Sequence, residues 1–289
     1  MQLRLLENDY IRMAVSDSGA ELRSLVDLKS GREWMWQGNP EFWPRTSPVL
    51  FPVVGKLREN ELLLDGKKYS LSQHGFARDR NFRFSISSDQ QLTYILESDD
   101  ESRKIYPFEF RLTISYKLLK NQLEITYKVE NTGNTALPFS IGAHPGFSLP
   151  GWPQKKYALQ FEQDEELACI PIADGLLDFS QRNLLKLHGG LLDLSADLFQ
   201  KDALVIPKPA SNWISIVETG NPTSLRVHFE EFSWLGLWSK PGAPFVCIEP
   251  WEGHADPLGF KDDFFKKPGI CILQKGEVLN RSFCIELLA

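Results

Sequence analysis

Three short stretches hold the residues best suited to moving protons. In Phe245-Val246-Cys247-Ile248-Glu249-Pro250-Trp251-Glu252-Gly253-His254, an apolar run leads into a carboxylate, a proline and an aromatic. A proline biases the residue before it towards extended geometry and breaks a sheet ladder, so this reads as a buried strand ending at Glu249. Trp251 and His254 then flank its mouth. A carboxylate held on a rigid element suits general acid/base chemistry on a small polar ligand. Glu252 is a rival for the same role. In Ser140-Ile141-Gly142-Ala143-His144-Pro145-Gly146-Phe147, an apolar strand meets a histidine set between small residues and a proline. Its imidazole titrates near neutrality and is readily retuned. In Gln73-His74-Gly75-Phe76-Ala77-Arg78-Asp79, a histidine and an arginine stand four apart around a glycine, as in a loop that aims polar groups at a ligand. Gly55-Lys56 offers a cation, and Asp202 stands just before the apolar run Ala203-Leu204-Val205-Ile206.

Each feature alone also fits a plain structural role: a satisfied core histidine, a solvated lysine, a carboxylate in a turn. The combination narrows the chemistry. No G-x-S-x-G elbow, P-loop or dinucleotide fingerprint occurs. Metal ligation by His74, His144, His254 and Asp256 lacks any recognised zinc spacing, and no cofactor is expected. Glu249 and Asp202 would be the candidate pair for a glycosidase. A carboxylate base with a histidine acid is the better-supported pair, because environments push their pKa values apart and so assign the two roles.

The elements that must hold these residues are strands. Ile11, Met13 and Val15 alternate with other residues after an Asn8-Asp9 turn. Asp65-Gly66 between Leu62-Leu63-Leu64 and Lys67-Lys68-Tyr69-Ser70-Leu71 predicts a hairpin with a two-residue turn. Phe110, Leu112, Ile114, Tyr116 and Leu118 alternate, as do Leu123, Ile125, Tyr127 and Val129 after a Lys120-Asn121 turn. This period of two means a sheet with one buried face, hence antiparallel. Further strands are read at 213–217, 225–229, 235–238 and around Phe283, Ile285 and Leu287. Trp34, Trp36, Phe42 and Trp43 read as an aromatic-rich loop. Two prolines make 47–56 a poor central strand. No sustained helical period precedes residue 190; short helices are expected at 191–199 and 261–267. No composition break, linker or tandem repeat appears. The expectation is an all-β chain: one large antiparallel β-sandwich with few short helices, a single domain over 1–289.

Composition sets the outer limits. Eight Trp and nineteen Phe in 289 residues can fill a large core. The net charge of −6 comes with no basic stripe, which argues against nucleic acid or an anionic membrane as partner. The first residues lack the apolar core of a signal peptide, and no apolar run approaches a membrane span. Cys169, Cys247, Cys271 and Cys284 form no C-x-x-C pair and read as reduced, buried thiols. A cytoplasmic protein, monomeric or homodimeric, is expected.

The motifs His74-Gly75-Phe76-Ala77-Arg78-Asp79, Gly142-Ala143-His144-Pro145-Gly146-Phe147, Phe199-x-x-Asp202-Ala203-Leu204 and Cys247-Ile248-Glu249-Pro250-Trp251 occur in this order. Together they resemble the aldose 1-epimerase (galactose mutarotase) family, and within it the bacterial LacX-like branch. The resemblance spans nearly the whole chain. It implies a β-supersandwich with a sugar in an open cleft, and interconversion of the α and β anomers of a free aldose. Carried over by position, it implies Glu249 as the base at the O1 hydroxyl and His144 as the acid at the ring oxygen. It implies His74 and Asp202 as sugar-binding groups, with Arg78 and Lys56 as basic contacts. Two departures are visible: Lys56 stands where arginine is common, a point charge instead of a fork, and Pro250-Trp251 follows the glutamate. Trp251 either stacks on a sugar face or packs the rim. Two other readings share the fold: a sugar-binding protein without catalysis, and an epimerase for a hexose 6-phosphate. The second would draw on Arg45, Lys56, Arg58, Arg78, Arg80 and Arg83.

Overall fold

The computed structural model describes residues 2–221 and 223–288. Strands dominate, and the named strand pairs are all antiparallel. Nine strands form the largest sheet. Its order is Leu191–Asp193, Tyr157–Phe161, Trp213–Glu218, Ser224–His228, Val278–Leu288, Gln122–Asn131, Phe110–Leu119, Gln91–Glu97, Arg83–Ser88. The predicted alternation is literal at its centre. Phe110, Leu112, Ile114, Tyr116 and Leu118 are buried, and the residues between them are only partly covered.

A smaller sheet lies across the same core. Its order is Leu204–Pro207, Trp234–Trp238, Phe245–Glu252, Ile141–Ala143, Val49–Leu50, and Gly146–Ser148 also pairs with Phe245–Glu252. Successive side chains of a strand point to opposite faces. Val246 and Ile248 accordingly join Ile114, Ile125 and Ile285 in the core shared by the two sheets. Phe245, Cys247 and Trp251 face the other way, into two satellite clusters with Trp36, Ala243, Leu50, Val54 and Val205. The strand is covered on both faces, which is why its sequence is apolar without alternation.

The Asp65-Gly66 hairpin forms as expected, with Glu61–Leu64 paired to Lys67–Ser70 and both turn residues at positive φ. Val49–Leu50 sits at the edge of its sheet, where neighbouring prolines are tolerated. Two expectations need correction. Residues 191–199 are not helical: Leu191–Asp193 is an edge strand on Tyr157–Phe161, and turns follow it. Buried Leu192 and Leu194 alternate with exposed Leu191 and Asp193, a period of two too short to outvote the Leu-rich composition. Within 261–267 only Phe264–Lys266 turns, as a 3₁₀ segment started by the Asp263 side chain accepting from the Phe265 N–H. A helix does precede residue 190, at Asp100–Ile105. Six residues are too few to show a period, but its capping box, Asp99 with Ser102, marks its start.

Among the described residues no helix is long and apolar enough to cross a membrane. The four cysteines are unpaired; Cys169 and Cys247 are buried, whereas Cys271 and Cys284 are half-buried.

Candidate active site

The Phe245–Glu252 strand does not stop at Glu249. It runs through Pro250 to Glu252, with Cys247 to Trp251 paired to Trp238 to Trp234 on one side. On its other side the partner is interrupted. Ile141 and Gly142 pair with Glu252 and Trp251, and Gly146 to Ser148 pair with Cys247 to Phe245. Ala143, His144 and Pro145 bridge the gap. The Ile248 N–H donates to the Pro145 carbonyl, so by alternation the nitrogen of Pro250 faces the same gap. A missing N–H costs nothing where no partner strand awaits it. Pro250 therefore sits inside the strand, and Glu249 is held in mid-sheet instead of at a frayed end.

The gap brings the acid and base candidates together. His144 Nε2 lies 3.2 Å from Glu249 Oε2. The contact is not aligned as a hydrogen bond, and Glu249 Oε2 and His144 Nδ1 both lack hydrogen-bond partners. Glu249 is 1 % exposed and His144 8 %. Burial drives the Glu249 carboxyl well above the usual carboxylate range; the Trp251 indole opposes this and the charge of Asp202 adds to it. Burial likewise pulls His144 down to about 3. The imidazole is clamped by Trp43, stacked at 4.8 Å between ring centroids, and by Trp238, edge-on at 5.7 Å.

His74 stands beside them, its ring 5.6 Å from that of His144. It occupies left-handed backbone at φ 66°, and Gly75 follows at φ 70°. A Cβ on Gly75 would lie 2.2 Å from the Phe51 carbonyl oxygen, so only glycine lets the loop pack there. The Gly55 N–H donates to His74 Nδ1 at 3.1 Å, which leaves the proton on Nε2. Burial, with His144, Arg78 and Arg45 nearby, holds His74 well below its ordinary pKa. It is a neutral imidazole with a fixed N–H. Arg78 donates to the Gln73 carbonyl at 2.7 Å and keeps a buried, unpartnered Nε. Burial, with Arg45 adding to it, lowers Arg78 to about 10.

These groups line one cavity of about 280 Å³, with Gln73, Asp202, Trp43, Trp238 and Trp251 among its other walls. Asp202, at φ 98°, accepts from the Ala203 N–H at 2.7 Å and stands exposed at the rim. Trp251 packs across the sheet surface: a Cβ on Gly236 would meet its ring at 2.4 Å, and one on Gly142 at 2.6 Å. The glycines make room for the indole, whose Nε1 is buried and unpartnered.

Not every expected residue reaches the cavity. Lys56 turns away and donates to the Asp174 carbonyl at 3.0 Å. Glu252 points to the opposite face, where it binds Arg281 at 2.9 Å and Ser233 at 3.1 Å. The rival to Glu249 is thus removed by strand alternation. His254 and Asp256 belong to a separate buried cluster with Lys267. Three polar or aromatic lining residues were not singled out from sequence as ligand contacts. Gln73 adjoins the histidine motif, Trp43 lies in the aromatic-rich loop, and Trp238 ends a strand that reads simply as core.

The family model described as "Aldose 1-epimerase" matches residues 2–280. The chain belongs to the aldose 1-epimerase family. It is 29% identical to the plasmid-encoded protein LacX of Lactococcus lactis subsp. lactis, over 98% of each chain. Among solved structures it resembles a galactose mutarotase related enzyme from Lactobacillus acidophilus, with 34% identity, a TM-score of 0.95 and coverage of 100% of this chain and 98% of that one. A galactose mutarotase-like protein from Lactobacillus casei ATCC 334 is 29% identical, with a TM-score of 0.92 and coverage of 99% and 100%. The all-β architecture is that of these galactose mutarotase-like structures.

Proposed function

We propose that this family member interconverts the α and β anomers of a free, unphosphorylated aldohexose. The observation that carries the reading is the Glu249–His144 pair, 3.2 Å apart, buried and short of partners at a cavity wall. Anomer exchange changes no oxidation state and asks only for two proton transfers at a fixed spacing. Glu249 takes the proton of the O1 hydroxyl while His144 gives one to the ring oxygen. The C1–O5 bond breaks, the C1–C2 bond rotates, and closure on the other face reverses both transfers. Two titratable groups in contact hold protons as one unit. The pair enters ring opening with one proton, on His144, and leaves it with one, on Glu249: the first goes to the ring oxygen, the second comes from O1, and closure reverses both.

The surrounding groups suit a polyol. Arg78 Nε and Trp251 Nε1 offer unpartnered N–H donors, His74 Nε2 lies 3.3 Å from the Gln73 side-chain amide, and Asp202 and Glu249 offer acceptors. Sugar hydroxyls need both kinds. The cavity is near the lower end of the roughly 300–1,000 Å³ usual for small ligands, which favours a monosaccharide over a chain.

The scarcity of cations lining the cavity among the described residues argues for an unphosphorylated sugar. Of Arg45, Lys56, Arg58, Arg78, Arg80 and Arg83, only Arg78 lines the cavity. Arg45 binds Asp79 at 2.8 Å and Lys56 the Asp174 carbonyl. Arg58 binds Glu59, Arg80 binds Asp99 and Arg83 faces Glu97.

The test is anomer exchange by polarimetry or NMR, with freshly dissolved α-glucose, α-galactose and a hexose 6-phosphate. Acceleration with a free hexose, lost in Glu249→Gln and His144→Ala, is the expected result. Calorimetric binding of sugar without acceleration would replace this reading with a sugar-binding role.

A further inference from the structure

Cys247 is not needed for anomer exchange, yet it sits against the two residues that are. Cys247, Glu249 and Trp251 share one face of their strand, and Cys247 is fully buried. Its Sγ, one nitrogen of His144 and one carboxylate oxygen of Glu249 all lie within 4.8 Å of one another. All three residues are buried, and the Glu249 oxygen facing His144 has no hydrogen-bond partner. Sulfur, imidazole nitrogen and carboxylate oxygen are the donor types that zinc selects. Zinc bonds of about 2.0–2.3 Å in a tetrahedron would set these atoms roughly 3.3–3.7 Å apart; the His144–Glu249 nitrogen–oxygen spacing of 3.2 Å already approaches this, and the sulfur lies within 4.8 Å of both. The fourth position would open on the cavity.

We propose that His144, Cys247 and Glu249 form a three-ligand site for a zinc-class divalent cation, and that occupancy blocks the sugar reaction. The ion takes the Glu249 oxygen and the His144 nitrogen that would otherwise exchange protons with substrate. Cys247 binds as thiolate, its proton passing to solvent. The site itself stands on geometry alone; only the inhibition rests on the proposed anomer exchange.

The two parts are tested separately. Titrating the metal-free full chain with Co²⁺ should give one tight site per chain, with a thiolate-to-cobalt charge-transfer band and the intense visible bands of four-coordinate cobalt. Cys247→Ser and Cys247→Ala should each lose the charge-transfer band. His144→Ala, which keeps the thiol, should weaken Co²⁺ binding by more than tenfold, since even outer-shell changes at metal sites cost about 10–100-fold. In the rate assay, Zn²⁺ should inhibit exchange in a chelator-reversible manner and in competition with sugar. Cys247→Ser should keep its metal-free rate and need at least about tenfold more Zn²⁺ for the same inhibition. A charge-transfer band that survives in both Cys247 variants, or cobalt affinity unchanged in His144→Ala, would overturn the site. Equal zinc sensitivity in wild type and Cys247→Ser would overturn the inhibition. Absence of exchange in metal-free wild type would fault the proposed reaction and leave the cobalt result to judge the site.

Discussion

Two buried clusters in this protein are built from the same chemical parts and put to opposite ends. One pairs Glu249 with His144; the other gathers Asp256, His254 and Lys267, each at most 4 % exposed. In the second cluster the polar groups are turned on one another. Lys267 donates to the His254 carbonyl and faces Asp256 Oδ1 at 4.0 Å. Asp256 Oδ2 accepts from the Arg58 N–H at 2.8 Å, and His254 Nδ1 meets the Ala255 carbonyl at 2.7 Å. Burial still pushes Lys267 down to about 8, opposed by the charge of Asp256, and the Asp256 carboxyl up, opposed by the Arg58 backbone N–H and the charge of Lys267. In the first cluster a carboxylate oxygen and a ring nitrogen are left without hydrogen-bond partners beside a cavity. Asp256 Oδ1 also lacks a hydrogen bond, but the Lys267 charge faces it at 4.0 Å, whereas no cation is paired with Glu249 among the described residues. A buried polar group without a partner beside a cavity is a candidate for ligand binding.

Substitutions should separate the two. Glu249→Gln should lower the exchange rate by about 10²–10⁴-fold, the usual worth of a general base. The same change should raise the thermal midpoint at neutral pH. Because its folded pKa lies well above the ordinary 4.5, the unfolded carboxyl ionises first, so stability falls as pH rises above 4.5 until the folded pKa is passed; neutral Gln removes that penalty. Calorimetry beside the rate assay reads both signs in one protein. Lys267→Met should do the reverse. Leaving Asp256 buried and unpaired costs about 3–5 kcal/mol of stability by denaturant unfolding, while the rate per folded molecule changes far less than in Glu249→Gln.

Gly236→Ala should cost about 1–3 kcal/mol, because its methyl would meet the Trp251 ring at 2.4 Å. The displaced indole should also weaken sugar binding, a loss calorimetry would detect. Acid should act on the closed cluster through His254, which burial beside Lys267 lowers from 6.5 to about 4. A depressed folded pKa means the unfolded chain binds the extra proton first. This contribution is therefore complete above pH 6.5 and declines as pH falls towards 4. The thermal midpoint should drop across that window, and drop less in His254→Gln. The smallest effect is expected from Glu252→Gln. It should leave the rate within about twofold and cost about 1 kcal/mol or less, its Arg281 contact being a partly exposed pair.

The two sheets differ in how plainly the chain announces them. Phe110–Leu119 and Gln122–Asn131 alternate over ten residues each, because one face meets the core and the other does not. The six-stranded sheet is written in short pieces, Val49–Leu50, Ile141–Ala143 and Gly146–Ser148, buried on both faces. Neither length nor period reveals such strands. Leu191–Asp193 misleads for the same reason: three residues pair with a neighbour that only the fold supplies.

By itself the sequence determined the β class, the antiparallel core and the motifs that hold Glu249, His144, His74, Arg78 and Asp202. Period-two patterning, turn residues and motif order are local properties of a chain. The tertiary structure alone decided that Pro250 lies within a strand, opposite the break at His144. It turned Glu249 inward and Glu252 outward, sent Lys56 to the Asp174 carbonyl, and brought Trp43 and Trp238 onto the histidine. It also set Cys247 beside the acid/base pair. These outcomes depend on which segments become neighbours across a hundred or more residues, and on which face of each strand the core claims.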